Sequence, residues 1–264
     1  MDTEKNHKIW TIKEGDSPLV TAVLHNGHKI REELLEILAI DEKERFREED
    51  PFTGFWTDVA ETAIVVHHSR FEVDLNRPRD KAIYMKPEDA WGLHLWRRQP
   101  DPEMIERSLK AYDAFYREVH RLFSDIQRRF PCFVVYDIHS YNHRRDGSEG
   151  SFADPEGNPE VNVGTGTMDW KQWAPVVERF ITELKRFDFF GRPLDVRENV
   201  RFRGGNFPRW IHENFSDSGC ALALEFKKFF MDEHTGIPDK RQIQGIKAAL
   251  QSTVSGVLEV LERL

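Results

Sequence analysis

Four short apolar runs, each closing on polar residues able to do chemistry, limit this chain more than any other feature. Residues 18–24 (Pro-Leu-Val-Thr-Ala-Val-Leu) end at His25, and residues 62–67 (Thr-Ala-Ile-Val-Val-His) lead into Ser69-Arg70. Residues 132–138 (Cys-Phe-Val-Val-Tyr-Asp-Ile) end at His139, and residues 220–226 (Cys-Ala-Leu-Ala-Leu-Glu-Phe) carry Glu225 near their end. Runs this short, apolar on both faces, read as central strands covered by helices on each side. Between them lie stretches of helical period. Asp101 caps the first, Pro102 opens it, and Ile105, Leu109, Tyr112, Phe115, Val119, Leu122 and Ile126 follow on one face. Trp173, Val176, Val177, Phe180, Ile181 and Leu184 mark a second helix; a third opens at Asp239 and runs through Ile243, Ile246, Leu250, Val254, Val257 and Leu261. The alternation predicts an α/β fold, and with no repeat or Gly/Ser linker to divide it, a single domain over residues 1–264.

Composition narrows the function classes. A hydrophobic fraction of 39 %, with 19 Phe and 7 Trp, supplies a substantial core. Against 46 acidic residues stand 38 basic ones, a formal charge of −8, which lacks the basic footprint of a nucleic-acid binder. No stretch approaches ~18 consecutive apolar residues, so no membrane span is expected. The start of the chain shows no apolar signal core behind a basic segment. Cys132 and Cys220 have no metal-ligand spacing and read as buried, reduced thiols. The expectation is a cytoplasmic protein acting on a small molecule; the sequence is silent on oligomeric state.

In open α/β sheets, ligands bind beyond the carboxyl ends of the strands. A hydrolytic zinc site needs three His, Asp or Glu ligands and one open position. His25 and His139 fit two of these, and Glu48-Glu49-Asp50, before Pro51, offers the carboxylate. Asp137, two residues before His139, is placed to support that imidazole or its loop. Each has a blander reading, since a lone strand-end His is more often a satisfied polar residue and an acidic triplet before proline a helix boundary. Glu225 is the candidate general base, with pairing to Lys227 or Lys228 as the alternative. Asn76-Arg77 offers a planar donor fork for a substrate carboxylate, with a salt bridge to Asp74 or Asp80 as the alternative. The run 157–169 reads as loop, its Gly164-Thr165-Gly166 being too short for a phosphate loop. No Gly-x-Ser-x-Gly elbow occurs.

Several separate stretches together resemble the N-formylglutamate amidohydrolase family. They are Leu24-His25-Asn26-Gly27, Asp50 with Ala60, Ser69-Arg70-Phe71-Glu72-Val73-Asp74-Leu75-Asn76-Arg77-Pro78, Asp137-Ile138-His139-Ser140, Asn162-Val163-Gly164-Thr165 and the Ala221–Glu225 run. The resemblance covers roughly residues 18–235. It implies a mixed central sheet with helices on both faces, similar to zinc carboxypeptidases, and one Zn2+ ion. It further implies hydrolysis of the amide of a small acidic N-acyl amino acid such as N-formylglutamate. On matching positions His25, His139 and Asp50 are the implied ligands, with Glu49 the alternative to Asp50. Glu225 is the implied base for zinc-activated water, and Arg77, beside Asn76 and with Arg70 or Arg144, the implied anchor for an acidic group. The first motif departs from the family's Pro-His-Ser-Gly, reading Leu-His-Asn-Gly before His28. Two other functions are consistent with the pattern: a zinc carboxypeptidase or deacylase on another N-acyl amino acid or peptide, and a non-catalytic binding protein that keeps the fold.

Overall fold

Seven strands form one sheet in the order β1-β3-β2-β4-β7-β5-β6. They are β1 (Trp10–Lys13), β2 (Leu19–Val23), β3 (Thr62–Val66), β4 (Phe133–Tyr141), β5 (Val161–Gly164), β6 (Val196–Glu198) and β7 (Gly219–Lys227). The structure is a computed structural model and describes residues 8–264; the amino-terminal stretch read above for a signal core lies almost wholly outside the described residues. The middle of the sheet, β3-β2-β4-β7, is parallel, while β1 pairs antiparallel with β3 and β5 antiparallel with β7. The sheet is therefore mixed, as the resemblance implied. The four apolar runs form the parallel centre, where both faces are buried.

Among the described residues six α-helices accompany the sheet: α1 (Glu32–Leu35), α2 (Glu42–Glu48), α3 (Pro102–Arg129), α4 (Trp170–Arg186), α5 (Asn206–Asn214) and α6 (Lys240–Leu261). The period of two along β4 divides its side chains. Val134, Tyr136 and Ile138 pack with Val176, Phe180, Ile246 and Leu250 of α4 and α6. Phe133 and Val135 pack with Phe115, Val119, Phe123, Phe207 and Ile211 of α3 and α5. Asp101, Asp169 and Asp239 each accept backbone N–H bonds at the starts of α3, α4 and α6, fixing where those helices enter the sheet. Among the described residues no helix is long and apolar enough to cross a membrane.

Two readings need correction. The run 157–169 is not all loop, because Val161–Gly164 is strand β5, buried throughout. Four residues including Asn and Gly give too short a period to register as a strand. His139 is also not beyond its strand: β4 continues through it to Tyr141, and β7 continues through Glu225 to Lys227. The two strands pair with His139 directly opposite Glu225. Both residues share parity with Phe133, Val135 and Ala221, so they emerge on the α3/α5 face of the sheet.

Candidate active site

A cavity of about 180 Å³ opens at the carboxyl ends of the parallel strands, with His25, Asp50, Arg70, Asn76, His139 and Glu225 in its wall. His25 follows β2 and His139 lies in β4, the strand beside it. Asp50 comes from the turn after α2, and its N–H donates to His25 O at 2.9 Å, tying two wall residues together through the backbone. Glu49 leaves α2 in extended conformation (φ −81°, ψ 177°), which sends consecutive side chains to opposite sides. Asp50 therefore faces the histidines, while Glu49 turns to His28 Nδ1 at 2.5 Å, Arg45 Nη1 at 3.3 Å and the Ser69 hydroxyl.

Three atoms converge in this wall. His139 Nδ1 lies 3.1 Å from His25 Nδ1 and 3.1 Å from Asp50 Oδ2, and His25 Nδ1 lies 3.4 Å from the same oxygen. The Asn76 side-chain amide stands 3.2 Å from His139 Nε2, and the Nε2 nitrogen of each ring faces a carboxylate: His25 Nε2 meets Asp74 Oδ1 at 2.7 Å, and His139 Nε2 meets Asp137 Oδ1 at 3.0 Å. Those partners favour the tautomer with hydrogen on Nε2, leaving both Nδ1 lone pairs aimed at the Asp50 oxygen. Three acceptors so placed repel one another unless a cation sits between them. Ligands ~2.0 Å from a tetrahedral zinc lie roughly 3.3 Å apart, close to the observed edges. These are the three residues, all buried, that form a candidate metal group among the described residues.

The charges in the wall respond to this crowding. Burial alone raises the Asp50 carboxyl, but hydrogen bonds from His139 and His25 outweigh it and hold the group well below the usual range. Burial lowers the His139 imidazole, yet Asp137 and Asp50 more than reverse this and hold it well above its usual value. Asp74 is likewise held low, its burial overcome by His25 and Arg70. Glu225 behaves in the opposite sense. Enclosed at the cavity wall, its carboxyl is pushed up to about 7 by burial, helped by Asp50 and Asp137 and opposed by His139 and His25.

Not every candidate reaches the cavity. Arg70 and Asn76 line it; Arg77 and Arg144 do not. Arg77 lies over the Tyr84 ring at 4.2 Å and donates to Asp89 O at 2.6 Å, with Nε 3.5 Å from Asp74. The structure thus gives Arg77 the salt bridge to Asp74 weighed as its alternative. Arg144 is drawn outward by Asp232 Oδ2 at 3.4 Å and by the Ser148 carbonyl. Lys228, whose pairing with Glu225 was the alternative for that residue, instead donates to Arg47 O at 2.5 Å, Glu49 O at 2.7 Å and Asn142 Oδ1 at 2.9 Å. Buried, and lowered to about 8 by that burial, it clamps the turn that carries Asp50. The sequence did not single out the partnership of Asp74 with His25, nor Glu48 and Arg145 in the cavity wall. Asp74 lies within the quoted Ser-Arg-Phe run, whose i,i+4 spacing from Arg70 is its one visible signal.

The model of the N-formylglutamate amidohydrolase family matches residues 17–231. The chain belongs to that family. An N-formylglutamate amidohydrolase from Ralstonia eutropha superposes with a TM-score of 0.72 at 15 % identity, over 96 % of this chain and 97 % of that one. A gene product of Agrobacterium tumefaciens gives 0.68 at 17 % identity, over 98 % of both chains. A putative carboxypeptidase A from Shewanella denitrificans gives 0.41 at 13 % identity, over 95 % of this chain and 61 % of its own. No curated protein matches the sequence. The family is one of hydrolases, and the Ralstonia and Agrobacterium structures, at low identity, speak for the fold alone.

Proposed function

We propose that this family member hydrolyses the amide of a small acidic N-acyl amino acid, of the kind represented by N-formylglutamate, with one zinc ion held by His25, Asp50 and His139. The observation that carries the reading is the convergence of those three ligand atoms beside Glu225, within a cavity that also presents Arg70. Bound there, zinc supplies Lewis acidity, which acidifies water and polarises the amide carbonyl. Asp74 and Asp137 hold the two imidazoles in the tautomer that leaves Nδ1 free. Glu225 takes the proton of the attacking water and returns it to the leaving amine; a carboxyl that burial raises above its ordinary range is suited to both transfers. Arg70, fixed by Asp74 Oδ2 at 3.0 Å and Tyr84 Oη at 2.9 Å, orients an acidic group of the substrate, with Asn76 beside it. Arg77 then acts through Asp74 rather than on substrate. Cys132 and Cys220 are free thiols, which suits the reducing cytoplasm to which we assign the protein.

The test is turnover by the zinc-loaded protein on N-formyl-L-glutamate beside other N-acyl amino acids and short peptides. Release of formate and glutamate is expected. Hydrolysis of another acyl group or of peptides alone would move the activity to a deacylase or carboxypeptidase. No hydrolysis of any of them would leave a binding protein.

A further inference from the structure

Among the arginines around the site, Arg70, Arg77 and Arg144 each have more than one partner. Arg70 is held by Tyr84 and Asp74, Arg77 by Asp89 O and the Tyr84 ring, and Arg144 by Asp232 and the Ser148 carbonyl. Arg145 differs. It lines the cavity and its side chain is 41 % exposed. Among the described residues its hydrogen bonds run from Nη1 alone, to Glu48 Oε1 at 2.9 Å and Oε2 at 3.1 Å, with none from Nε or Nη2. Glu48 is buried and does not depend on this partner, because Asn142 Nδ2 at 3.1 Å and Arg47 Nη1 at 3.2 Å also donate to it. Arg47 has a second carboxylate in Glu233 Oε2 at 3.5 Å, whereas among the described residues Glu48, already bonded by others, is the carboxylate that Arg145 pairs with.

Trp91 stands beside both Arg145 and Arg70. Its backbone is left-handed (φ 55°) at the end of the Pro87–Ala90 turn, and its ring stands half-exposed in the cavity wall. The Arg70 guanidinium carbon lies 4.8 Å from the indole centroid and that of Arg145 lies 5.9 Å from it. Two guanidinium groups thus lie near one indole and border one small cavity; among the described residues Arg145 keeps Nε and Nη2 without a hydrogen bond, and Arg70, its Nε and Nη2 taken by Tyr84 and Asp74, keeps Nη1.

From this arrangement we infer that Arg145, anchored by Glu48 and packed on Trp91, is the subsite for the second carboxylate of a dicarboxylic substrate, the first being held by Arg70. The inference rests on the hydrolase reading above and adds the residue that selects a diacid over its neutral isostere. A planar fork with two free donors pairs with a carboxylate, whereas a carboxamide offers one acceptor and brings two hydrogens against a cation.

The experiment measures kcat/KM on N-formyl-L-glutamate and N-formyl-L-glutamine for the wild type, Arg145→Gln and Arg145→Lys, each preparation being given both substrates. The ratio of the two values cancels any loss of folded protein. The wild type is expected to prefer the diacid about 10- to 100-fold, the range of a charge-assisted pair. Arg145→Gln should bring that ratio close to one, chiefly through KM for the diacid, and Arg145→Lys should restore part of it. A ratio unchanged in Arg145→Gln would remove Arg145 from this role, and a wild-type ratio near one would remove the subsite. Wild-type protein inactive on both substrates would instead overturn the N-formyl amino acid reading, and the subsite with it.

Discussion

Glu225→Gln is expected to fold, keep its metal and lose about 10³-fold in kcat, the scale of a positioned general base. The substitution is nearly isosteric, and the Glu225 side chain opens on the cavity opposite His139, so little packing changes. The pH dependence follows from the same carboxyl. Wild-type kcat/KM should rise as the group loses its proton and reach a plateau, with a midpoint at or below about 7, because a bound cation favours the ionised form. That limb should vanish from the residual activity of the variant. Stability moves the other way. A carboxyl whose folded value lies near 7 and whose ordinary value is 4.5 keeps its proton longer in the folded chain, so stability falls between those two pH values. Glutamine has no proton to lose. Metal-free Glu225→Gln should therefore be more stable than metal-free wild type at pH 8, by on the order of 2 kcal/mol, read from urea unfolding. Near-wild-type turnover in the variant would exclude Glu225 as the base.

Asp74→Ala should be the most damaging change to the fold around the site. This buried carboxylate receives His25 Nε2 at 2.7 Å, Arg70 Nη2 at 3.0 Å, the Asn76 N–H at 2.8 Å and the Tyr84 hydroxyl. Truncation leaves the Arg70 guanidinium and the Tyr84 hydroxyl without their acceptor, a class of change that costs about 3–5 kcal/mol. Asp74→Asn separates orientation from burial. It retains the volume and one acceptor while removing the charge that steadies the His25 tautomer, so zinc affinity should fall about 10- to 100-fold with the fold intact. Competition with a chromophoric chelator measures the first quantity, and urea unfolding the second. Wild-type affinity in Asp74→Asn would show that His25 is oriented without it.

The parts of this architecture legible in the sequence are those with a long enough period. The central strands β2, β3, β4 and β7 and the long helices α3, α4 and α6 each bury a repeating apolar pattern, and each stands close to where that pattern puts it. Strands β1, β5 and β6 have three or four residues apiece, too few for a period, and α5 begins at Asn206 without a side-chain cap. The site follows the same division. His25, His139 and Glu225 stand in or just beyond apolar strands, so their common end of the sheet follows from the topology. Glu49 and Asp50 differ only in which way one extended residue turns the chain, a property of the exit from α2. Which arginine enters the cavity likewise depends on third parties. Asp89 O and Tyr84 hold Arg77 back, Asp232 turns Arg144 outward, and Glu48 brings Arg145 in. No periodic pattern in the sequence records those partners.

The central claim is that His25, Asp50 and His139 hold one zinc ion. The most direct measurement is elemental analysis of wild type and His139→Ala, both purified without chelator or a histidine tag and then supplied with zinc and desalted. About one zinc per wild-type chain, absent from the variant, is the predicted result. Wild-type protein that retains no metal after this treatment, or a variant that retains as much as wild type, would contradict it.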